Sequence, residues 1–158
     1  LLAASPRVSP AAAAPPVADQ RSCPFCGARS VVADPEADSV CRACGSALAP
    51  VRASTWSRSS RRAIERLSRT VQVSFRRTVS PTTVHVATTK DVSLSGMRLT
   101  VPVRLQPGER VSLESPYCSV VALVHRSGPA ADGTWECAVE FLTCRVTRVR
   151  GGFLSTDA

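Results

Sequence analysis

Aromatic side chains make up only 4% of this 158-residue sequence, and lysine occurs once, at Lys90. So few aromatics leave little surface on which bases could stack, which weighs against a single-stranded nucleic-acid binder. No run of eighteen apolar residues occurs, so a transmembrane helix is excluded for this stretch. The twelve prolines and eight glycines follow no period, which excludes collagen-like and array architectures. No general base, nucleophile and open metal position come together in the pattern, so the expectation is a non-enzyme.

What is present is hydrophobic residues at 44%, charged residues at 20% and a net charge of +8. The length suits one compact domain or two small modules with linkers. The charge is localised. Between Arg52 and Thr78 there are eight arginines and one acid, Glu65, so this stretch carries +7 of the +8. A basic excess confined to one segment implies either a local anionic partner or a solvated linker.

Composition divides the chain. Residues 1–20 are Ala/Pro-rich with almost no large side chains and read as a disordered tail. Residues 21–49 are rich in cysteine and turn residues, 50–60 read as a linker, 61–150 as a β-domain, and 151–158 as a C-terminal tail. In the β-domain, Val71, Val73 and Phe75 alternate with Gln72, Ser74 and Arg76. Val84 and Val86 lead a second strand towards Asp91. Met97, Leu99 and Val101 alternate with Arg98 and Thr100, and Pro102 weakens further pairing. Pro107-Gly108 suits the middle of a type II turn, before Val111, Leu113 and Ser115. Val120–Val124 is apolar on both faces, and Trp135, Cys137, Val139 and Phe141 alternate with Glu136 and Glu140 facing water. Six strands in about eighty residues predict a mainly β fold, a small antiparallel barrel whose closure removes exposed edges. Thr143–Val149 reads either as a seventh strand or as a docking tail.

Cys23-Pro-Phe-Cys26-Gly and Cys41-Arg-Ala-Cys44-Gly lie fourteen residues apart. Two residues between cysteines let both thiolates of one tight turn reach a single tetrahedral ion. The following glycine permits the backbone to turn amides toward sulfur. Val31-Val32, Asp34-Pro35 and Val40 between the pairs read as a short hairpin. The arrangement resembles a zinc ribbon over residues 21–49, with a spacer one residue shorter than is typical. Disulfides and a redox dithiol are the rivals, and the spacing favours metal; no thioredoxin-like helix adjoins either pair. Four cysteines close the coordination shell, so the zinc is expected to be structural, supplying folding free energy to a segment too small for a core. Cys118, Cys137 and Cys144 lack this spacing and read as buried free thiols. His85 and His125 read as satisfied or surface histidines.

The second constellation is Arg61-Arg62-Ala-Ile-Glu-Arg66, followed about 25 residues later by Asp91-Val-Ser93-Leu-Ser-Gly96. RRxxxR and DxSxxG in this order on an all-β pattern resemble the PilZ domain, a bacterial receptor module for cyclic di-GMP. The resemblance covers about residues 58–141, including the Val139-Glu140-Phe141 ending. It departs at Cys137-Ala138, where the family often carries glycine. The ligand's two phosphates and two guanines suit these residues. Arginine's fork matches phosphate oxygens or the O6/N7 edge of guanine. Arg62 and Arg66, four apart, share one side of a helical turn, and Arg61 adds a third fork. The resemblance gives Asp91 the guanine N1–H and exocyclic amine, with Ser93 beside it. Gly96 either takes a φ that a Cβ would resist or leaves room for the base. Asp91, Ser93 and Gly96 could equally form an ordinary Asx-type turn.

The expected function is therefore a cytoplasmic cyclic di-GMP effector. Its arginine loop would order on ligand and reposition the ribbon, which offers, with the barrel surface, a contact for a protein partner. By the same resemblance, the adjacent Arg61 and Arg62 imply uptake of a stacked ligand dimer, as in family members with two adjacent arginines. The alternatives are a nucleic-acid-binding ribbon and barrel on a basic linker, with a steep salt dependence, and an adaptor that binds only protein.

Overall fold

The structure is a computed structural model and describes residues 19–32, 39–51 and 70–146. Eight strands are formed: β1 Asp19–Ser22, β2 Arg29–Val32, β3 Gln72–Arg77, β4 Ser80–Val92, β5 Gly96–Val101, β6 Arg110–Glu114, β7 Cys118–Pro129 and β8 Trp135–Val146. β1 and β2 form a two-stranded sheet, and the other six close into a barrel in the order β3-β4-β5-β8-β7-β6. All the pairings are antiparallel, as expected from the alternating pattern. No helix occurs among the described residues, and none there is long and apolar enough to cross a membrane.

Alternation decides what fills the barrel. Val73 and Phe75 of β3, Met97, Leu99 and Val101 of β5, Val111 and Leu113 of β6, and Cys137, Val139 and Phe141 of β8 are all buried in one cluster. Val101 ends β5 just before Pro102. Pro107-Gly108 forms the expected turn: Gly108 has a φ of 85°, and the Glu109 amide donates to the Gln106 carbonyl at 3.0 Å.

Two strand details are decided by the tertiary structure. Val84 and Val86 are 61% and 56% exposed, and Ala87, Thr89, Asp91 and Val92 are the buried residues of β4. The register explains this. Phe75 on β3 lies opposite His85, and the two rings stack with centroids 5.1 Å apart. That pairing turns His85, Ala87 and Thr89 inward and the two valines outward; the bulge after Thr89 then reverses the alternation, so Val92 faces in beside Met97 and Asp91 lies beside Arg98. Thr143–Val146 is neither a seventh strand nor a tail; it continues β8 and pairs with β7 from Cys118 to Val121. Residues 147–149 lie outside the described residues.

The cysteine segment is seated on the barrel. Val121 faces outward from β7 yet is 0% exposed, because Cys23, Phe25, Cys41 and Leu48 cover it, with Leu142 packed alongside. This is why β7 is apolar on both faces: Val120, Ala122 and Val124 fill the barrel, and Val121 lies under the cysteine segment. Polar contacts fix the seat. Thr143 Oγ1 donates to the Ala47 carbonyl at 2.7 Å, and the buried Ser46 and Ser112 hydroxyls bond at 3.0 Å. Arg110 donates to the Pro24 carbonyl at 3.0 Å. Beyond Glu140, β8 outruns β5 and its edge would be open. Ala49–Val51 covers it: the Cys144 amide donates to Ala49 at 2.9 Å, and the Val51 amide donates to Leu142 at 3.1 Å. Residues 52–60 of the expected linker lie outside the described residues, so the chain reaches that point already bound to the barrel.

Candidate functional site

The DxSxxG turn lies between β4 and β5, at the rim of a cleft of about 450 Å³ on the barrel wall. Asp91, Ser93, Gly96, Arg98, Arg126 and Ala138 are among its lining residues. A bulge between Thr89 and Asp91 shifts the β4–β5 register and brings Asp91 opposite Arg98. The Asp91 carboxylate is 9% exposed and is held by the guanidinium of Arg98. Ser93 closes the turn twice: its amide and its hydroxyl both donate to the Gly96 carbonyl, at 2.8 and 3.1 Å.

Gly96 is required for close approach and not for an unusual φ. A Cβ built there would stand 2.2 Å from the Val139 carbonyl oxygen of β8, a backbone atom that cannot step aside. This corrects the expected φ reason for the glycine. The turn is thus pressed onto β8.

Three of the six residues expected to bind ligand, Asp91, Ser93 and Gly96, come together in this cleft. Arg61, Arg62 and Arg66 lie outside the described residues. Arg76 and Arg77, which belong to the same basic run, are engaged internally. Arg76 donates to the Cys44 carbonyl at 3.0 Å, pairs with Glu114 and lies over the Phe25 ring. Arg77 forks onto Glu109 at 2.7 and 3.0 Å. Burial raises the Glu109 pKa, but the Arg77 fork and the Gln106 amide outweigh it and hold the carboxyl below its ordinary range. These two arginines are structural.

Sequence reasoning missed Arg98 and Arg126 as cleft residues. The signal available was weak: Arg98 occupies an outward position in the alternation of β5, and only the pairing of β5 and β7 on either side of β8 brings Arg126 near it.

The second site is the cysteine cluster. The four Sγ atoms of Cys23, Cys26, Cys41 and Cys44 lie within 4.8 Å of one another, with Cys23–Cys44 at 3.7 Å and Cys26–Cys41 at 3.6 Å. A tetrahedral ion with metal–sulfur bonds of about 2.3 Å needs sulfurs about 3.8 Å apart, so the set could hold a metal ion. The two turns are alike. Gly27 and Gly45 have φ of 76° and 75°, and each glycine amide donates to the carbonyl of the first cysteine, at 2.9 and 2.7 Å. Burial pushes the Cys23 thiol up to about 12. Cys41 is also desolvated, but the amides of Cys44 and Ala43 and the Ser30 hydroxyl outweigh that and bring it down to about 6. Such donors favour thiolate, the form that binds metal.

The hairpin expected between the cysteine pairs is built differently. Arg29–Val32 pairs backwards with Asp19–Ser22 across the first turn, and Val40 bridges to Ala47 across the second. Residues 33–38 lie outside the described residues. Each turn is thereby closed by its own short pairing. The remaining cysteines are free thiols, Cys137 buried and Cys118 and Cys144 partly so. Burial raises all three, Cys144 to about 11. His85 stacks on Phe75, and His125 pairs with Glu140.

A closed six-stranded antiparallel barrel, with a cleft on its wall at the β4–β5 turn, defines a small antiparallel β-barrel domain. Residues 58–150 match the family model of the PilZ domain, more than half of the chain, and the protein belongs to that family. Among solved structures the chain is similar to the Bacillus subtilis inhibitor of motility MotI/DgrA, at 16% identity and a TM-score of 0.42. That similarity covers 52% of this chain and 43% of the other, so this chain spans less than half of its length. No curated protein matches the chain.

Proposed function

We propose that the protein is a cyclic di-GMP receptor module whose ligand occupies the cleft at the β4–β5 turn. The observation that carries this reading is the convergence of Asp91, Ser93 and Gly96 of DxSxxG on one cleft of about 450 Å³. Asp91 would accept from the N1–H and amine of a guanine, Ser93 would keep the turn in shape, and Gly96 would keep the base close to β8. Arg61, Arg62 and Arg66 would bring guanidinium forks to the phosphates and to the Hoogsteen edge of guanine. The role is binding rather than catalysis, and the cytoplasm is where reduced cysteines and this messenger coincide.

Zinc is the metal proposed for Cys23, Cys26, Cys41 and Cys44, since four thiolates at tetrahedral spacing are its structural donor set. Its role here would be to hold the Ser46–Leu48 segment and Phe25 against β6, β7 and β8. A ribbon seated in this way would not swing on ligand binding. The protein partner would instead read the arginine segment closing beside the cleft, or a surface the barrel and ribbon form together. The nucleic-acid reading loses support because Arg76, Arg77 and Arg110 are taken up by contacts within the chain.

Calorimetric titration of cyclic di-GMP into the full metal-loaded chain tests the reading. Saturable binding is expected, weakened thirtyfold or more by Arg66→Ala, which corresponds to about 2 kcal/mol. Two nucleotides per chain would mark a stacked dimer, and one would exclude it. A folded protein that takes up no cyclic di-GMP at near-millimolar concentration overturns the reading.

A further inference from the structure

The barrel places two arginines outside either motif on one line with the motif aspartate. In the β5–β8 ladder Arg98 lies opposite Ala138, and in the β7–β8 ladder Arg126 lies opposite the same Ala138. On the far side of β5, Asp91 lies opposite Arg98. One row therefore runs Asp91, Arg98, Ala138, Arg126 across four adjacent strands. Met97 and Leu99, and Cys137 and Val139, are buried inward, so Arg98 and Ala138 between them face out. Arg126 is exposed on the same wall.

The residue between the two arginines is small. Neighbouring strands stand about 4.8 Å apart, so the two arginine backbones are about 10 Å apart with only a methyl group between them. Their forks can converge over Ala138 on one tetrahedral anion. The three residues are also the boundary between two clefts. They line the cleft of about 450 Å³ at the β4–β5 turn and a second cleft of about 310 Å³ beside Gly128, Pro129 and Glu136.

The acids of this wall have other partners. Glu140 pairs with His125, and Glu136 pairs with Lys90. Arg98 is held by Asp91, while Arg126 has no ion-pair partner among the described residues. Two guanidinium groups thus stand side by side on this wall, one held by the Asp91 carboxylate and one with no close ion pair but in the field of Glu136, and such forks suit phosphate oxygens.

We propose that Arg98, Ala138 and Arg126 form a phosphate-binding saddle adjoining the motif cleft, which takes a phosphodiester of the nucleotide whose base lies at Asp91. This rests on the cyclic di-GMP reading above. Arg98 is a positioning residue as well, since the same fork orients the Asp91 carboxylate. Arg126 is the direct probe of the saddle because it does not touch Asp91 in the row.

The test is titration of cyclic di-GMP into the full metal-loaded chain and its Arg126→Ala, Arg126→Lys, Ala138→Leu and Arg145→Ala variants, with thermal melts of each. Arg126→Ala is expected to weaken binding at least tenfold at an unchanged melting temperature, with partial recovery in Arg126→Lys. Ala138→Leu is expected to weaken binding by filling the saddle. Arg145→Ala, which removes the same charge from an exposed position elsewhere on β8, should leave affinity as it is. If Arg126→Ala binds like the parent chain while Asp91→Ala does not bind, the saddle is wrong and the receptor reading stands. Equal losses in Arg126→Ala and Arg145→Ala overturn the saddle in favour of a general field. No binding by the parent chain overturns both.

Discussion

Val121 reports whether the metal site and the barrel are one structure. It projects from the outer face of β7 and has no exposure only because the cysteine segment lies over it. Val121→Ala removes two carbon atoms from this contact. At about 0.8 kcal/mol for each, with a small cavity term, the cost in the metal-loaded protein is about 2 kcal/mol. For a domain of this size that lowers the melting temperature by about 8 °C. If chelation releases the segment, position 121 becomes an exposed surface site, and the same substitution should cost within about 0.5 kcal/mol of nothing. Val120→Ala is the internal control, since Val120 faces the barrel interior and should cost the same in both states. Paired thermal or guanidinium melts of the three proteins, with and without chelator, supply the comparison. Equal costs for Val121→Ala in the two states would mean that the segment stays seated without metal. Complete unfolding on chelation would mean that the barrel has no independent stability. Either result refutes the reasoning.

Three further outcomes are expected. Gly96→Ala should destabilise by about 2–3 kcal/mol, read as a lowered denaturation midpoint, because its Cβ must push the turn off the Val139 carbonyl; a variant as stable as the parent would mean that the turn can lift without cost. Arg77→Ala should cost about 3 kcal/mol by leaving the Glu109 carboxylate, 7% exposed, without its fork. The Glu109 pKa is lower in the folded chain than in the unfolded one, so its contribution is complete above the unfolded value of about 4.3 and disappears as pH falls through the folded value. The stability gap between the parent chain and Glu109→Gln should therefore close in acid, and a gap that persists at low pH would contradict the pairing.

The strands of the barrel, the Pro107-Gly108 turn, the two CxxCG turns and the DxSxxG turn were legible in the chain because each depends on neighbours a few residues away. Period-two alternation selects the inward face of β3, β5 and β8, and in each CxxCG run the glycine at positive φ closes a tight turn that holds both thiols on one side. Other properties depend on residues brought together from far along the chain, and no local pattern carries them. The outward turn of Val84 and Val86 was decided by Phe75 meeting His85 across β3 and β4. The reason for Gly96 lies in a carbonyl more than forty residues away, at Val139. Val121, apolar on the outside of a strand, looked like a central-strand residue and proved to be the seat of the cysteine segment. Arg98 and Arg126 became neighbours of one alanine only when β5 and β7 closed on either side of β8. Local order follows from backbone geometry and side-chain periodicity; which faces meet follows from closing the barrel, and the site is made of faces that meet.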